Sequence, residues 1–314
     1  MFTRFKKFLR KKNSQAKLVE DIYKRLDSSR KSVKVNLGQI QASMNNQKLN
    51  ILDLAEVEFQ VFSQWGDDGI IQYLTHALNI PNKTFIEFGV EDYIESNTRF
   101  LLINNNWKGY VLDGSEENIA FIKDDKDVSW AYELKAACAF INQENINQLI
   151  TSSGFEKEVG LLSIDIDGND YWVWKAINCI EPVIVIVEYN SLFGKNTQWT
   201  VPYDPGFIRK EKHPSGLYFG ASLGAFVELG KEKGYNFVGC NSKGNNAYFI
   251  RKDKAGEFKT RSVAAGYVLS TFREAHINGE WVSGDQRIMQ IKDMEVYDLV
   301  AGRNITITPS AIQY

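Results

Sequence analysis

The 314-residue chain has only three cysteines and three histidines, and three histidines do not easily form a dedicated His metal site. Cys138, Cys179 and Cys240 are widely spaced and form no metal pattern, and their odd number argues against a disulfide framework. A reducing, cytoplasmic setting is the simpler expectation. No run approaches the roughly 18 apolar residues that a spanning helix needs. The opening "MFTRFKKFLRKKNSQAK" lacks the apolar centre of a cleavable signal peptide. Nor is there a strong net charge: the formal value is -2, so no global field draws the chain to nucleic acid. What is present is an ordinary globular balance, 44% apolar and 24% charged. It is enough chain for one large core, or one core with a substantial addition.

The one concentrated charge is local. Residues 1–17 carry seven Lys or Arg and no acid. As a helix they would place Phe2, Phe5, Phe8 and Leu9 on one side. Such a segment suits an anionic membrane surface, which would make the protein peripheral at the inner face of the membrane. A solvated, frayed terminus is the alternative. Residues 17–48 read as a helix followed by a linker rich in Asn and Gln, so that 1–49 form a basic N-terminal helix and linker. From 50 to 79 the apolar spacing predicts two helices separated by "SQWGDDG".

Strands and helices then alternate. Strands are expected at "TFIEFG", "GYVLDG", "SWAYELKAA", "GLLSIDID" and "PVIVIVEYN", the last as sheet centre, with "YNFVGCN" and "NAYFIRK" closing the pattern. The fold class implied is α/β, a Rossmann-like, mostly parallel seven-stranded sheet with flanking helices. Ligands then belong at the carboxyl ends of the strands. The α/β domain spans 50–254 with a long insertion at 191–219 after the fifth strand. Residues 255–314 are a C-terminal extension on the same domain.

The strand ends carry the chemistry. In "FIEFGVEDYIESNTRF" only Gly89 is present where a dinucleotide fingerprint needs three glycines; its missing Cβ would let a ligand approach the backbone. Asp113 ends the second strand 24 residues later, where a carboxylate can accept from two ribose hydroxyls, although a turn or helix cap explains it too. Glu87 lies inside the first strand and needs a partner if buried. "LLSIDIDGNDYWVW" puts Asp165, Asp167 and Asp170 within six residues. Alternation sends Asp165 and Asp167 to one side. The next strand ends in "VEYN", so Glu188 and Asn190 could share a hard divalent cation with them if the strands are neighbours. Otherwise Asp165 is a buried structural acid and "DGND" an ordinary turn.

These stretches, with "FSQWGDDGII", resemble the class I S-adenosylmethionine-dependent methyltransferases, and more closely the FkbM-like members, over residues 60–252. The resemblance implies methyl transfer to a hydroxyl of a glycan, glycolipid or related polyhydroxy metabolite. It places Glu87 and Gly89 by the methionine part of S-adenosylmethionine and Asp113 on its ribose. It makes Asp167, Glu188 and Asn190 the leading ligands for Mg or Mn, with Asp165 or Asp170 behind them. Asp167 would alternatively orient the acceptor hydroxyl. The chain departs from the pattern where further small residues are usual: Glu91 and Tyr93 stand there, and both side chains could reach into the cofactor's space. Asn97 would add a polar contact from the following helix, or serve as a cap.

His213, in the insertion, is the candidate proton acceptor, or a surface histidine; His76 reads as structural, and His276 has no local motif. The insertion's aromatic residues suit a sugar ring, and its Arg209, Lys210 and Lys212 suit an anionic acceptor. Two rival readings stay open. "DID" also fits metal-dependent glycosyl transfer from a nucleotide sugar, and a non-catalytic module on the same fold would leave the pocket filled. Oligomeric state is not legible at this level.

Overall fold

Apolar runs of four to six residues, buried on both faces, build the centre of the molecule. The computed structural model describes residues 2–272, 275–277 and 279–314, and their side chains except those of residues 2–16 and 24. The strands are β1 (Thr84–Phe88), β2 (Lys108–Asp113), β3 (Leu134–Cys138), β4 (Leu161–Ile164) and β5 (Ile184–Glu188). After β6 (Trp199–Thr200), a two-residue strand of another sheet, come β7 (Tyr235–Cys240) and β8 (Asn246–Arg251). The main sheet runs β3-β2-β1-β4-β5-β8-β7. Its first five strands are parallel, and β8 is antiparallel to both β5 and β7. This is the expected mostly parallel seven-stranded sheet. The apolar β5 lies inside it, one place from the central β4.

Helices cover both faces. Phe226, Leu229 and Trp174 pack on one with the β4 and β5 side chains, and Ile70, Leu74 and Leu101 pack on the other. Several boundaries differ from the sequence reading. The predicted first helix of 50–79 shrinks to a 3-10 turn, Leu54–Val57, followed by a loop and then α2 (Asp67–Ala77). The loop is held because the buried Asp68 Oδ2 accepts from the amides of Val61, Phe62 and Ser63 at 2.7–2.8 Å. The expected Asn/Gln linker is also helical: α1 runs unbroken from Phe2 to Asn45. The basic amphipathic surface expected at residues 1–17 rests on side chains outside the described residues, Lys17 excepted. Among the described residues no helix is long and apolar enough to cross a membrane.

The insertion and the C-terminal extension share one core. Phe193, Trp199, Phe207 and Tyr218 from the first pack with Val282, Ile288, Ile291 and Val296 from the second. Strand Glu295–Asp298 pairs with both β6 and strand Arg303–Thr306. Together they form a cap over the carboxyl ends of the parallel strands.

Candidate active site

The strand order reverses between β1 and β4, so chain crossovers leave in opposite directions and a crevice opens at the tips. Two adjoining cavities occupy it. The inner one, about 420 Å³, is walled by Gly89, Glu91, Asp113, Phe140 and Asp165. The outer one, about 710 Å³, is walled by Ile208, Lys210, Phe272 and His276 of the cap. Phe140 also reaches the outer cavity, and Gln64, Ile166, Asp167, Glu188, Phe207 and Arg209 border both.

The first loop is built on Glu87. Its buried carboxylate accepts from Ser96 Oγ at 2.7 Å, from Asn97 N at 2.9 Å, and from Thr98 through both its amide and its hydroxyl. Burial raises its pKa despite these donors. No cation pairs with it among the described residues; four hydrogen bonds supply the partners its burial requires. Asn97 also donates from Nδ2 to Ser163 Oγ at 3.1 Å, tying the loop to β4.

Gly89 lines the inner cavity and is also required for packing. Its φ is +72°, and a Cβ there would stand 1.6 Å from the Asp165 carbonyl oxygen. Glu91 and Tyr93 take the left-handed backbone that glycines would, with φ of 47° and 63°. Their side chains part company. Tyr93 is fully buried in the core, its hydroxyl 3.0 Å from Thr98 Oγ1, so it does not enter the cofactor's space. Glu91 does line the inner cavity, its pKa raised first by burial and then by neighbouring carboxylates.

Asp113 is largely spent. Oδ1 accepts from Ser115 N at 2.8 Å and Asn118 Nδ2 at 3.0 Å, and Oδ2 from Glu91 N at 2.8 Å. A carboxylate offers about four lone-pair sites, so the fourth, on Oδ2, is left for a hydroxyl, rather than the two expected from sequence.

The β4 and β5 tips bring Asp165, Asp167 and Glu188 together, with one oxygen of each within 4.8 Å of the others. Burial, then repulsion from neighbouring carboxylates (first Asp167 for Asp165, first Asp165 for Glu188), holds both pKa values well above the usual carboxylate range. Glu188 Oε2 is buried without a hydrogen-bond partner. Asp167, with φ of 58°, turns outward into an ion pair with Arg209, whose guanidinium lies 3.6 Å from the centre of the Phe219 ring.

Three expected site residues stand elsewhere. Asp170 caps its own turn, Oδ1 accepting from Ile166 N and Oδ2 from Gly168 N at 2.8 and 2.9 Å; burial lifts its pKa to about 6. Asn190 donates to the carbonyls of Leu217 and Phe219, both at 3.0 Å, and accepts from Leu192 N. It pins the insertion and is not in the carboxylate cluster. His213 closes a turn with Ser215, Nδ1 to Oγ 2.7 Å, and lines neither cavity. The histidine of the outer cavity is His276, which a hairpin of the extension carries there. At the start of α2, Asp67 is buried among Asn241, Asn246 and Tyr248, whereas Gln64, in the loop before it, reaches the cavities.

Sequence reasoning also missed Asn169. It is 3% exposed, lines the inner cavity, donates to Asp204 O at 2.7 Å, and leaves Oδ1 without a partner. Its signal was its place inside the aspartate turn. For His276 and Phe272 no local signal existed.

No family model matches the chain, and no curated protein matches its sequence. Solved structures similar to it include the N-terminal domain of EvdMO1 with SAH bound, at 11% identity, covering 68% of this chain and 94% of that one with a TM-score of 0.38. Another is an S-adenosylmethionine-dependent methyltransferase from Clostridium acetobutylicum, at 12% identity, 59% and 90% coverage and a TM-score of 0.35. A third is an O-methyltransferase family protein from Burkholderia thailandensis, at 9% identity, 70% and 57% coverage and a TM-score of 0.36. At such values any functional reading rests on the chain's own strand order and side chains.

Proposed function

We propose that the chain is an S-adenosylmethionine-dependent O-methyltransferase of FkbM-like type, acting on a hydroxyl of a glycan, glycolipid or related polyhydroxy metabolite. The observation that carries this reading is the pair of cavities meeting at Asp167 and Glu188. A cofactor in the inner cavity and an acceptor in the outer one would face each other across that border.

The residues fit a cationic cofactor. Seven carboxylates and a single guanidinium line the inner cavity, which favours the ammonium and sulfonium charges of S-adenosylmethionine. Asp113 Oδ2 would accept from one ribose hydroxyl, and Phe140 offers an apolar face at the β3 end. When bound, the cofactor supplies a methyl group already activated for transfer. The chain's task is then alignment and proton removal. The same wall weighs against the rival glycosyl transfer, because a nucleotide diphosphate would bring further negative charge to it.

Asp165, Asp167 and Glu188 fit a divalent cation, Mg or Mn: three clustered carboxylates, one with an orphaned oxygen, form an oxygen-rich donor set. In its absence the raised pKa values favour a proton on the Asp165–Glu188 pair. Once ionised, that pair is a competent base for an acceptor hydroxyl. Asp167, steadied by Arg209, would orient the same hydroxyl. Phe207 and Phe272 offer apolar faces to a sugar ring, and Lys210 and His276 offer polar contacts at the rim.

The test is transfer of a labelled methyl group to a panel of polyhydroxy acceptors. Glu188→Gln and Asp167→Asn are expected to lower the rate at least about 100-fold, the scale of a lost general base or orienting group. Undiminished transfer in both variants would remove the cluster from the chemistry.

A further inference from the structure

Helix α1 shows two distinct faces. Its last four turns rest on the body: Gly38 packs against Val61 and Phe100, Ala42 is buried, and Asn45 Nδ2 donates to Val57 O at 2.7 Å. Lys31 pairs with Asp127 at 3.1 Å. The described side chains N-terminal to Lys31 are all exposed. Residues 2–30 are therefore a helical stretch about 43 Å long at 1.5 Å per residue, whose described side chains are all exposed. A helix of mixed composition standing alone in water is marginal.

A second face runs along both this stretch and the anchored part. Val19, Tyr23, Leu26, Val33, Leu37, Ile40 and Met44 are each 50–69% exposed. Together with Arg30 they recur at alternating steps of four and three over 26 residues. That is a 3.5-residue period, the signature of a left-handed coiled-coil seam. In heptad terms Val19, Leu26, Val33 and Ile40 are d positions, and Tyr23, Arg30, Leu37 and Met44 are a positions. Monomeric proteins rarely leave so long a continuous apolar stripe open to water.

We infer that this seam is covered by the α1 helix of a second copy of the chain, running antiparallel. The charges choose the direction. In a parallel pair Arg30 would face Arg30 of the other copy in one buried layer, and the flanking pairs Ile22–Asp27, Ser29–Lys34 and Asn36–Gln41 hold no opposite charges. In the antiparallel pair Val19 stacks on Met44, Tyr23 on Ile40, Leu26 on Leu37 and Arg30 on Val33. Each Arg30 then buries only its aliphatic stem while its head reaches water. Asp27 comes opposite Lys34 twice, by symmetry, an attractive pair on the seam's edge. The N-terminal stretch of each protomer lies on the body-anchored half of its partner, so one contact covers both exposed stretches. The interface is isologous, as a two-fold dimer requires.

The test is the mass of the full chain in solution by light scattering at tens of micromolar. The expected mass is twice the 35.8 kDa of one chain. The double variant Leu26→Glu/Leu37→Glu is expected to halve it while leaving the unfolding temperature of the body unchanged, since both side chains are exposed. Direction is read by oxidative cross-linking in a Cys138→Ser background: Arg30→Cys/Val33→Cys should link two chains, and Arg30→Cys alone should not. A monomeric wild type overturns the inference, as does a dimer that survives the double variant or a cross-link through Arg30→Cys alone. A monomer that binds anionic vesicles through the same stripe also overturns it and makes a membrane the occupant.

Discussion

At the scale of single residues, several positions of the site are fixed by the backbone they pack on or hold. Gly89 is the clearest case. Gly89→Ala is expected to cost about 3 kcal/mol or more in denaturant unfolding, because the added methyl meets the Asp165 carbonyl oxygen and the backbone is left-handed. An unchanged midpoint would refute the packing account. Glu91→Gly should act the other way, relieving left-handed strain worth up to about 1 kcal/mol, and a loss of stability would contradict that. Asp68 offers a pH test. Burial raises its carboxyl pKa to about 6, so the folded state holds its proton more tightly than the unfolded state. The resulting stability is present below about pH 4 and is lost as pH rises through 6, up to about 3 kcal/mol. Unfolding measured from pH 4 to 7 should show this decline in the wild type and a shallower one in Asp68→Asn. Equal slopes would remove Asp68 as its source. The identities of these residues were legible from sequence, but their partners were not. The packing of Gly89 on Asp165 was not legible because the two lie 76 positions apart in sequence.

At the scale of elements, local patterning identified all seven main-sheet strands, since apolar runs bounded by Gly, Asn and Asp are short-range signals. It failed where distant packing decided the outcome. The segment before residue 46 reads as a linker by its Asn and Gln content, yet α1 continues through it because Gly38 and Ala42 find a surface on the body. The segment before α2 has helical spacing but folds as a loop, because Asp68 draws three amides to itself. "VEYN" shows the same limit at the site. Glu188 ends its strand facing the cleft, whereas Asn190, two residues on, is already held by the insertion's carbonyls. Asn190→Ala should therefore leave divalent cation affinity unchanged. It should cost about 3 kcal/mol, the scale of stranding two buried carbonyls, and speed hydrogen exchange around residues 217–219. A selective loss of cation binding with stability intact would restore Asn190 to the ligand set.

At the scale of the whole molecule, the sheet supplies the crevice and the cap makes it a two-chambered site. The cap joins segments about 80 residues apart, 191–219 and 275–307, through one core. Removing residues 271–314 should therefore expose the insertion to proteolysis while the sheet core stays protected; an insertion as resistant as before would show that it folds alone. This coupling was the least legible feature, because neither segment carries a motif that points to the other, and it displaced the expected histidine from His213 to His276. The proposed binding of S-adenosylmethionine in the inner cavity is open to calorimetric titration of the full chain with S-adenosylhomocysteine and S-adenosylmethionine, with and without Mg or Mn. The expected result is saturable binding that Asp113→Ala weakens by at least about tenfold, or 1.4 kcal/mol. No heat of binding from the wild type under any of these conditions would contradict the account and leave the acidic crevice to another ligand.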